Sequence, residues 1–124
     1  MKRCKVNNLT AFVPSKDFQL SGKFYEDLGF KNVVSIGSAI RYEIDGFSFW
    51  LHDYYVKEWA ENCMLCLYVE DIHSWHDRIQ KLDLTKNYGK SAKVFSEPHE
   101  EEHGSLIMNI ADPSGVLWHI YQGD

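Results

Sequence analysis

The chain has 124 residues, with 13 basic and 18 acidic side chains that give a formal charge of −5. This length is that of one domain. Hydrophobic residues make up 44% and charged residues 25%, which is typical of a globular protein and excludes a disordered chain. The negative charge disfavours nucleic acid as a partner, because it repels a phosphate backbone, and it attracts a cationic ligand.

Segments and motifs that would indicate other protein classes are absent from the sequence. No apolar run approaches the roughly 20 residues of a membrane helix, and residues 1–10 lack the apolar core of a signal peptide. Three cysteines, an odd number, do not suggest a disulfide framework. The glycine-rich motifs of dinucleotide sites, phosphate loops and serine hydrolases are missing. We therefore expect a cytoplasmic protein with no membrane partner.

The first half of the chain is predicted to contain strands, one main helix and a hairpin. A β-rich run ends at Pro14, and Ser15 is the predicted N-cap of a helix. Apolar residues recur at helical spacing from Phe18 to Leu28, which predicts a helix there, and Gly29 is its predicted C-cap. Residues 54–62 are a connection, with a short helix as one possibility. The predicted strands are residues 9–13, 30–36, 39–44 and 47–52.

The second half repeats this order. A helix is predicted over residues 74–82, because Trp75, Ile79 and Leu82 lie on one helical face. A turn at residues 112–115 leads into the last strand. The predicted strands are residues 63–69, 93–96, 106–110 and 116–121, and the predicted loops are residues 85–93 and 97–104.

The two halves can be superposed as an internal repeat. Val13 matches Val69 at the end of each first strand, and Gly46 matches Gly115 before each last strand. A repeat of this length predicts two modules whose sheets each need the other to bury a face. We therefore expect one domain, residues 1–124, made of a first module (residues 1–62) and a second module (residues 63–124).

Three motifs carry a family resemblance: residues 13–18 (VPSKDF), residues 24–30 (FYEDLGF) and residues 112–115 (DPSG) before an aromatic-rich strand. With them the chain resembles the vicinal oxygen chelate superfamily of glyoxalase I, bleomycin resistance proteins and extradiol dioxygenases. It looks most like the bleomycin resistance proteins, which share a Cys-containing fifth strand ending in Glu-Asp, a Gly before the seventh strand and a late Gln. The resemblance implies an α+β fold of two βαβββ modules, each a curved, incomplete barrel, and homodimers with two clefts.

The resemblance also implies where a metal ion would bind. The enzymes of the superfamily take four ligands, drawn from His, Glu and Gln, from the first, fourth, fifth and eighth strands. The corresponding residues here are Asn8, Trp50, Met64 and His119. Only His119 suits a catalytic divalent ion. We therefore expect a protein without a metal or other cofactor, as the resemblance to bleomycin resistance proteins also implies.

Two other strings have metal-ligand or redox spacing. Residues 99–103 (HEEEH) match His-Glu-x-x-His, but flanking Pro98 and Gly104 and the acidic middle indicate a solvated loop instead of a zinc-protease helix. Cys63 and Cys66 are spaced as Cys-x-x-Cys, but residues three apart on a strand point to opposite faces. We expect packed cysteines there, not a redox pair.

Strand alternation predicts which side chains line the cleft. Trp50 and His52 lie opposite the all-apolar face of the fourth strand, and His119 and Tyr121 lie opposite Trp118, which we expect in the core. Acidic residues at 97 and 100–102 either give the cleft a negative rim or serve solubility. The predicted ligand-binding residues are Phe12, Trp50, His52, His103, Gly104, His119 and Tyr121.

An aromatic, amphipathic lining suits flat heteroaromatic rings. We therefore predict a homodimer that sequesters a cationic, aromatic, bleomycin-like small molecule in a metal-free cleft, as in drug or antibiotic resistance, with no bond made or broken. One alternative is a glyoxalase-like, metal-dependent lyase or isomerase, which the four ligand positions disfavour. Another is a metabolite-sensing binding module, which the lack of a second effector domain disfavours.

Overall fold

The computed structural model describes residues 4–101 and 104–124, and within them it contains eight strands and four helices. The fold is α+β, as predicted. The strands are β1 (Phe12–Pro14), β2 (Lys31–Ile36), β3 (Ala39–Ile44), β4 (Phe47–His52), β5 (Met64–Val69), β6 (Lys93–Glu100), β7 (Leu106–Ala111) and β8 (Leu117–Gln122). The helices are α1 (Phe18–Leu28), α2 (Lys57–Glu61), α3 (Ile72–Leu82) and α4 (Leu84–Tyr88).

The strands form two four-stranded mixed sheets. Sheet 1 has the order β1-β4-β3-β2, and sheet 2 has the order β5-β8-β7-β6. In each sheet the first two strands of that order are parallel and the other pairs are antiparallel. Neither sheet closes into a barrel within the described residues. This is the architecture of two βαβββ modules with incomplete barrels that the resemblance implies.

The two sheets differ by two residues in the register of their parallel pairs. Val13 lies opposite Leu51, five residues after Gly46, whereas Val69 lies opposite Gln122, seven residues after Gly115. The superposition of Val13 on Val69 is therefore wrong at the level of the sheet. Because the offset is an even number of residues, side chains stay on their expected faces.

An aspartate caps the N-terminus of each long helix, and Ser15, the predicted N-cap of α1, does not have that role. The Oδ1 atom of Asp17 accepts a hydrogen bond from the Leu20 N–H at 3.1 Å, and Asp71 accepts from the His73 N–H at 3.0 Å. The predicted N-cap Ser15 is buried instead, and its hydroxyl donates to the His52 carbonyl at 2.7 Å. α3 therefore begins two residues before the predicted position.

Two predicted loops in the second half are wrong in part. Residues 84–88 form α4, because Leu84 and Tyr88 lie one turn apart and both are buried. Strand β6 continues through residues 97–100, where a bulged pairing places His99 opposite Ile107. An edge strand tolerates these acidic side chains because they point into solvent.

The core lies between the inner faces of the sheets and helices α1 and α3. Tyr25 is fully buried, and its hydroxyl donates to Asp112 Oδ2 at 2.6 Å and accepts from Trp118 Nε1 at 2.9 Å. These bonds tie α1 to the turn between β7 and β8. The predicted core position of Trp118 is confirmed, since only 6% of it is exposed. No helix within the described ranges is long and apolar enough to cross a membrane.

Candidate ligand-binding site

Each sheet has one face that is turned away from the core. In β4, Phe49 and Leu51 are buried, whereas Trp50 and His52 are only half-buried. In β8, Trp118 is buried and His119 is half-buried. We name these open sides outer face 1 (Phe12, Arg41, Trp50 and His52) and outer face 2 (Cys66, Tyr68, Asn109, His119 and Tyr121).

Outer face 1 brings three of the predicted ligand-binding residues together. The parallel pairing of β1 with β4 sets Phe12 opposite Trp50, and their ring centroids are 6.3 Å apart with planes 24° apart. The Phe12 ring also lies 5.5 Å from the His52 imidazole. Phe12 is 62% exposed, so this group offers an open aromatic surface.

The aromatic surface extends beyond the predicted residues. The rings of His52 and Tyr54 are stacked with centroids 5.8 Å apart, and Tyr54 lies 5.7 Å from Trp59 in the short helix α2. With Phe12 and Cys63 these residues line a surface pocket. Tyr54 and Trp59 were missed because the connection after β4 has no periodicity. Large aromatic side chains in this short connection, Tyr54 and Trp59 among them, could have indicated a binding surface.

Outer face 2 holds two further predicted ligand-binding residues that carry rings. His119 and Tyr121 lie next to each other along β8, with ring centroids 6.2 Å apart. Tyr68, which was not predicted, stacks on Tyr121 at 5.3 Å with planes 19° apart. Cys66 lies opposite His119 in the parallel register and is exposed.

Five of the predicted residues therefore form two groups within the described part of one chain. Among the described residues no ring contact joins outer face 1 to outer face 2. Gly104 is exposed between β6 and β7, and its N–H donates to the Glu101 carbonyl at 2.9 Å. His103 lies outside the described residues.

Three buried polar atoms on these faces have no hydrogen-bond partner within the described residues. On outer face 1 the atom is Nε of Arg41, which lies opposite Trp50 in the β3–β4 pairing. On outer face 2 the atoms are Oδ1 of Asn109 and Nδ1 of His119, which lie opposite each other. Sequence analysis missed Arg41. The sequence could have indicated it, because Arg41 is a basic residue at an outward-facing position of β3.

The residues at the superfamily's four ligand positions do not fit a divalent metal. Asn8 lies in the segment before β1, where its Oδ1 accepts from the Leu9 N–H at 2.8 Å. The Trp50 indole has no lone pair to donate to a metal, and it stacks on Phe12. Met64 is exposed on β5 opposite Leu117, not opposite His119. Nor do residues 4–101 and 104–124 bring three or more His, Cys, Asp or Glu side chains together as metal ligands.

The HEEEH string and the Cys63–Cys66 pair do not form the sites that their spacing resembles. His99 is at the end of β6, where its Nδ1 lies 2.8 Å from the Glu97 carbonyl, so the described part of the HEEEH string is not a zinc-protease helix. That carbonyl raises the pKa of His99. Cys63 and Cys66 are both free, the first half-buried and the second exposed. Burial raises the pKa of the Cys63 thiol, which makes it a poorer nucleophile.

A family model described as Glyoxalase/Bleomycin resistance protein/Dioxygenase superfamily matches residues 6–120. No curated protein matches the chain. Among solved structures, a bleomycin-binding protein complexed with bleomycin is 20% identical with a TM-score of 0.79, and the match covers 96% of this chain and 100% of that chain.

Two further solved structures share this fold. A bleomycin resistance determinant encoded on the transposon Tn5 is 19% identical with a TM-score of 0.81, covering 96% of this chain and 99% of that chain. A lactoylglutathione lyase from Agrobacterium tumefaciens is 17% identical with a TM-score of 0.70, covering 96% of each chain. One fold thus accommodates both a binding protein and an enzyme, and only the site residues can distinguish them.

Proposed function

The chain belongs to the glyoxalase, bleomycin resistance protein and dioxygenase superfamily, and from this we propose that it sequesters a cationic aromatic small molecule without converting it. The observation that carries the proposal is the open stack of Phe12, Trp50 and His52 on outer face 1. Trp50 stands where the resemblance places a metal ligand in the enzymes. A stacking surface therefore replaces a reaction centre.

The aromatic part of the proposal follows from the ring geometry. Offset rings with half-buried faces bind flat heteroaromatic groups well, because stacking removes apolar area from water and adds favourable ring–ring contact. The continuation through Tyr54 and Trp59 gives the surface room for more than one ring.

The binding cleft is proposed to form between two copies of the chain. Outer face 1 of one copy would oppose outer face 2 of the other, so that Trp50 and His52 face Tyr68, His119 and Tyr121 of the second chain. The exposed aromatic surface of both faces supports this arrangement, because globular proteins seldom leave such patches open. We propose that this homodimer acts in the cytoplasm, where free thiols such as Cys63 and Cys66 are common.

The preference for a cation is supported by charge alone. The chain carries a net charge of −5, and Glu97, Glu100 and Glu101 are exposed at the end of β6. A negative field of this kind speeds the approach of a cationic ligand, and salt weakens it.

Bleomycin is the probe for the first test, because the fold is shared with a bleomycin-binding protein. Titration calorimetry should detect binding without added metal, and Trp50→Ala should lower the affinity about 5- to 150-fold, since a buried indole is commonly the anchor of such a site. Trp118→Ala is the matched control: it removes a core indole and should lower stability by about 3–5 kcal/mol. If it remains folded, it should keep its affinity.

Two results would contradict the proposal. One is a Trp50→Ala protein that binds bleomycin, aromatic cations and other aromatic probes as tightly as the wild type. The other is saturable, metal-dependent turnover of the hemithioacetal of methylglyoxal and glutathione, which would favour the lyase.

A further inference from the structure

Outer face 1 combines aromatic rings with the cation of Arg41. Arg41 in β3 lies opposite Trp50 in β4, which in turn lies opposite Phe12 in β1. Directly paired residues project from the same side of a sheet, with Cβ atoms about 4.5–5.5 Å apart. One row across sheet 1 therefore presents a phenyl ring, an indole and a guanidinium group side by side.

The guanidinium group of Arg41 is not satisfied by its surroundings. Its Nε atom is shielded from solvent and has no hydrogen-bond partner among residues 4–101 and 104–124. Within the same residues no carboxylate lies within ion-pair distance of Arg41, although other ion pairs are formed. A buried donor on a charged group is costly to leave unpaired, so the row lacks an acceptor.

The nearest acidic residue along the strand does not supply this acceptor. Glu43 is two residues from Arg41 on the same face, about 6–7 Å further along β3. Its cross-strand partners are Lys31 and Ser48, not Arg41. The carboxylates of Glu97 and Glu100 belong to β6 in sheet 2, and Glu101 directly follows that strand. An acceptor for Arg41 must therefore come from outside these residues.

We propose that outer face 1 recognises an anionic group, such as a carboxylate, that is attached to the ring stacked on Trp50, and that Arg41 selects for this group. The inference rests on the proposed function, because it needs a stacked ring. The two Nη groups of a guanidinium form two parallel donors that match the two oxygens of a carboxylate, and Arg41, which is half-buried, can present them on outer face 1 while its Nε stays shielded. The ligand class is then an amphoteric aromatic molecule, with its anion at Arg41 and its cation elsewhere in the cleft.

Three indoles with the same ring and different side-chain charge test the inference: indole-3-acetate, indole-3-acetamide and tryptamine. The wild type should bind the acetate at least about tenfold more tightly than the acetamide, because a charge-assisted hydrogen bond replaces a neutral one. Arg41→Met should remove this preference by weakening the acetate much more than the acetamide, which loses only a weaker hydrogen bond. Arg41→Lys keeps the charge but not the paired donors, and should retain only part of the preference.

The outcomes separate this inference from the proposed function. Equal binding of acetate and acetamide by the wild type, a measurement that needs no variant, overturns the role of Arg41 and leaves stacking intact. So does equal weakening of both probes by Arg41→Met. If Arg41→Met instead converts a dimer into monomers, a carboxylate of the second copy is its partner and the inference is wrong. No binding of any indole, or unchanged binding of the acetamide by Trp50→Ala, overturns the stacking site and the inference with it.

Discussion

Asp112 is a fully buried carboxyl group in the turn between β7 and β8. Its Oδ1 accepts from the N–H groups of Ser114 and Val116 at 2.8 and 2.9 Å, and its Oδ2 accepts from the Tyr25 hydroxyl. Burial nevertheless outweighs these bonds and raises the pKa of Asp112 to about 6 from its usual value of 3.8. The native state therefore holds this proton more tightly than the unfolded chain does.

The raised pKa predicts that the contribution of Asp112 to stability falls as the pH rises from about 4 to 6. The full loss is about 3 kcal/mol, reached above pH 6, because one pKa unit corresponds to about 1.4 kcal/mol. The measurement is urea unfolding at pH 4.5 and 7.5. Asp112→Asn keeps an acceptor for the two N–H groups and cannot ionise, so the free energy of unfolding of the wild type minus that of the variant should be larger at pH 4.5 than at pH 7.5. A difference that stays constant between the two pH values would contradict the assignment.

The sequence predicts on which face of a strand a side chain lies, because successive residues alternate between two faces. It does not predict which distant residues are hydrogen-bond partners. Trp118 was assigned to the core and Trp50 to the open face because each strand has only two faces. The Tyr25–Asp112–Trp118 bonds join residues far apart in the chain, so no local pattern indicates them. Arg41 is a similar case. Its outward position could be inferred from alternation, but its unsatisfied Nε depends on three neighbouring strands.

At the element scale, Gly29 sets the direction in which the chain leaves α1. Its φ of 116° lies in the region that favours glycine, and its N–H donates to the Glu26 carbonyl. A Cβ atom there would lie 2.9 Å from Nη1 of Arg78, which itself donates to the Leu28 carbonyl at 2.9 Å. The end of α1 is thus fixed both by backbone conformation and by a contact from α3.

Gly29→Ala should therefore lower the free energy of unfolding by about 1–3 kcal/mol, since it combines backbone strain with displacement of Arg78. Gly37→Ala is the matched control: its φ of 56° is also positive, but a Cβ there has nothing within 4 Å. It should lose no more than about 1 kcal/mol. Chemical denaturation of both variants checks this. Equal decreases in the free energy of unfolding of the two variants would show that displacing Arg78 does not destabilise the protein.

The predicted elements were most accurate where a local signal and tertiary packing agree. Strands β3 and β4 were predicted with the bounds that the structure has, because the Asp-Gly pair between them marks a tight hairpin. α4 was missed because only two residues, Leu84 and Tyr88, reach the core, which is too few for a periodic pattern. β6 was predicted too short because its later part is bulged and acidic, and only its pairing with β7 identifies it as a strand.

At the scale of the whole molecule, the family motifs and the repeated element order were sufficient to predict the fold. They do not place the predicted ligand-binding residues relative to one another. Phe12, Trp50 and His52 lie on outer face 1 and His119 and Tyr121 on outer face 2, whereas Gly104 lies between β6 and β7 and His103 lies outside the described residues. The two-residue register offset between the sheets also depends on pairing across strands, which the repeat in the sequence does not reveal.

The proposed cleft forms only if two copies of the chain associate. Sedimentation at micromolar concentration should show a species of about 29 kDa, twice the 14.5 kDa chain. Tyr68→Asp places a charge on outer face 2 and should shift the protein towards monomers, because an unpaired carboxylate in an interface must lose its hydration. Phe95→Asp on the edge strand β6 is the control, since Phe95 is 56% and Tyr68 is 55% exposed, and the Phe95 ring lies beside Lys93 and not in the Tyr68–Tyr121 stack. A wild type that sediments only at 14.5 kDa, or equal effects of the two substitutions, would contradict a cleft shared between the outer faces of two copies.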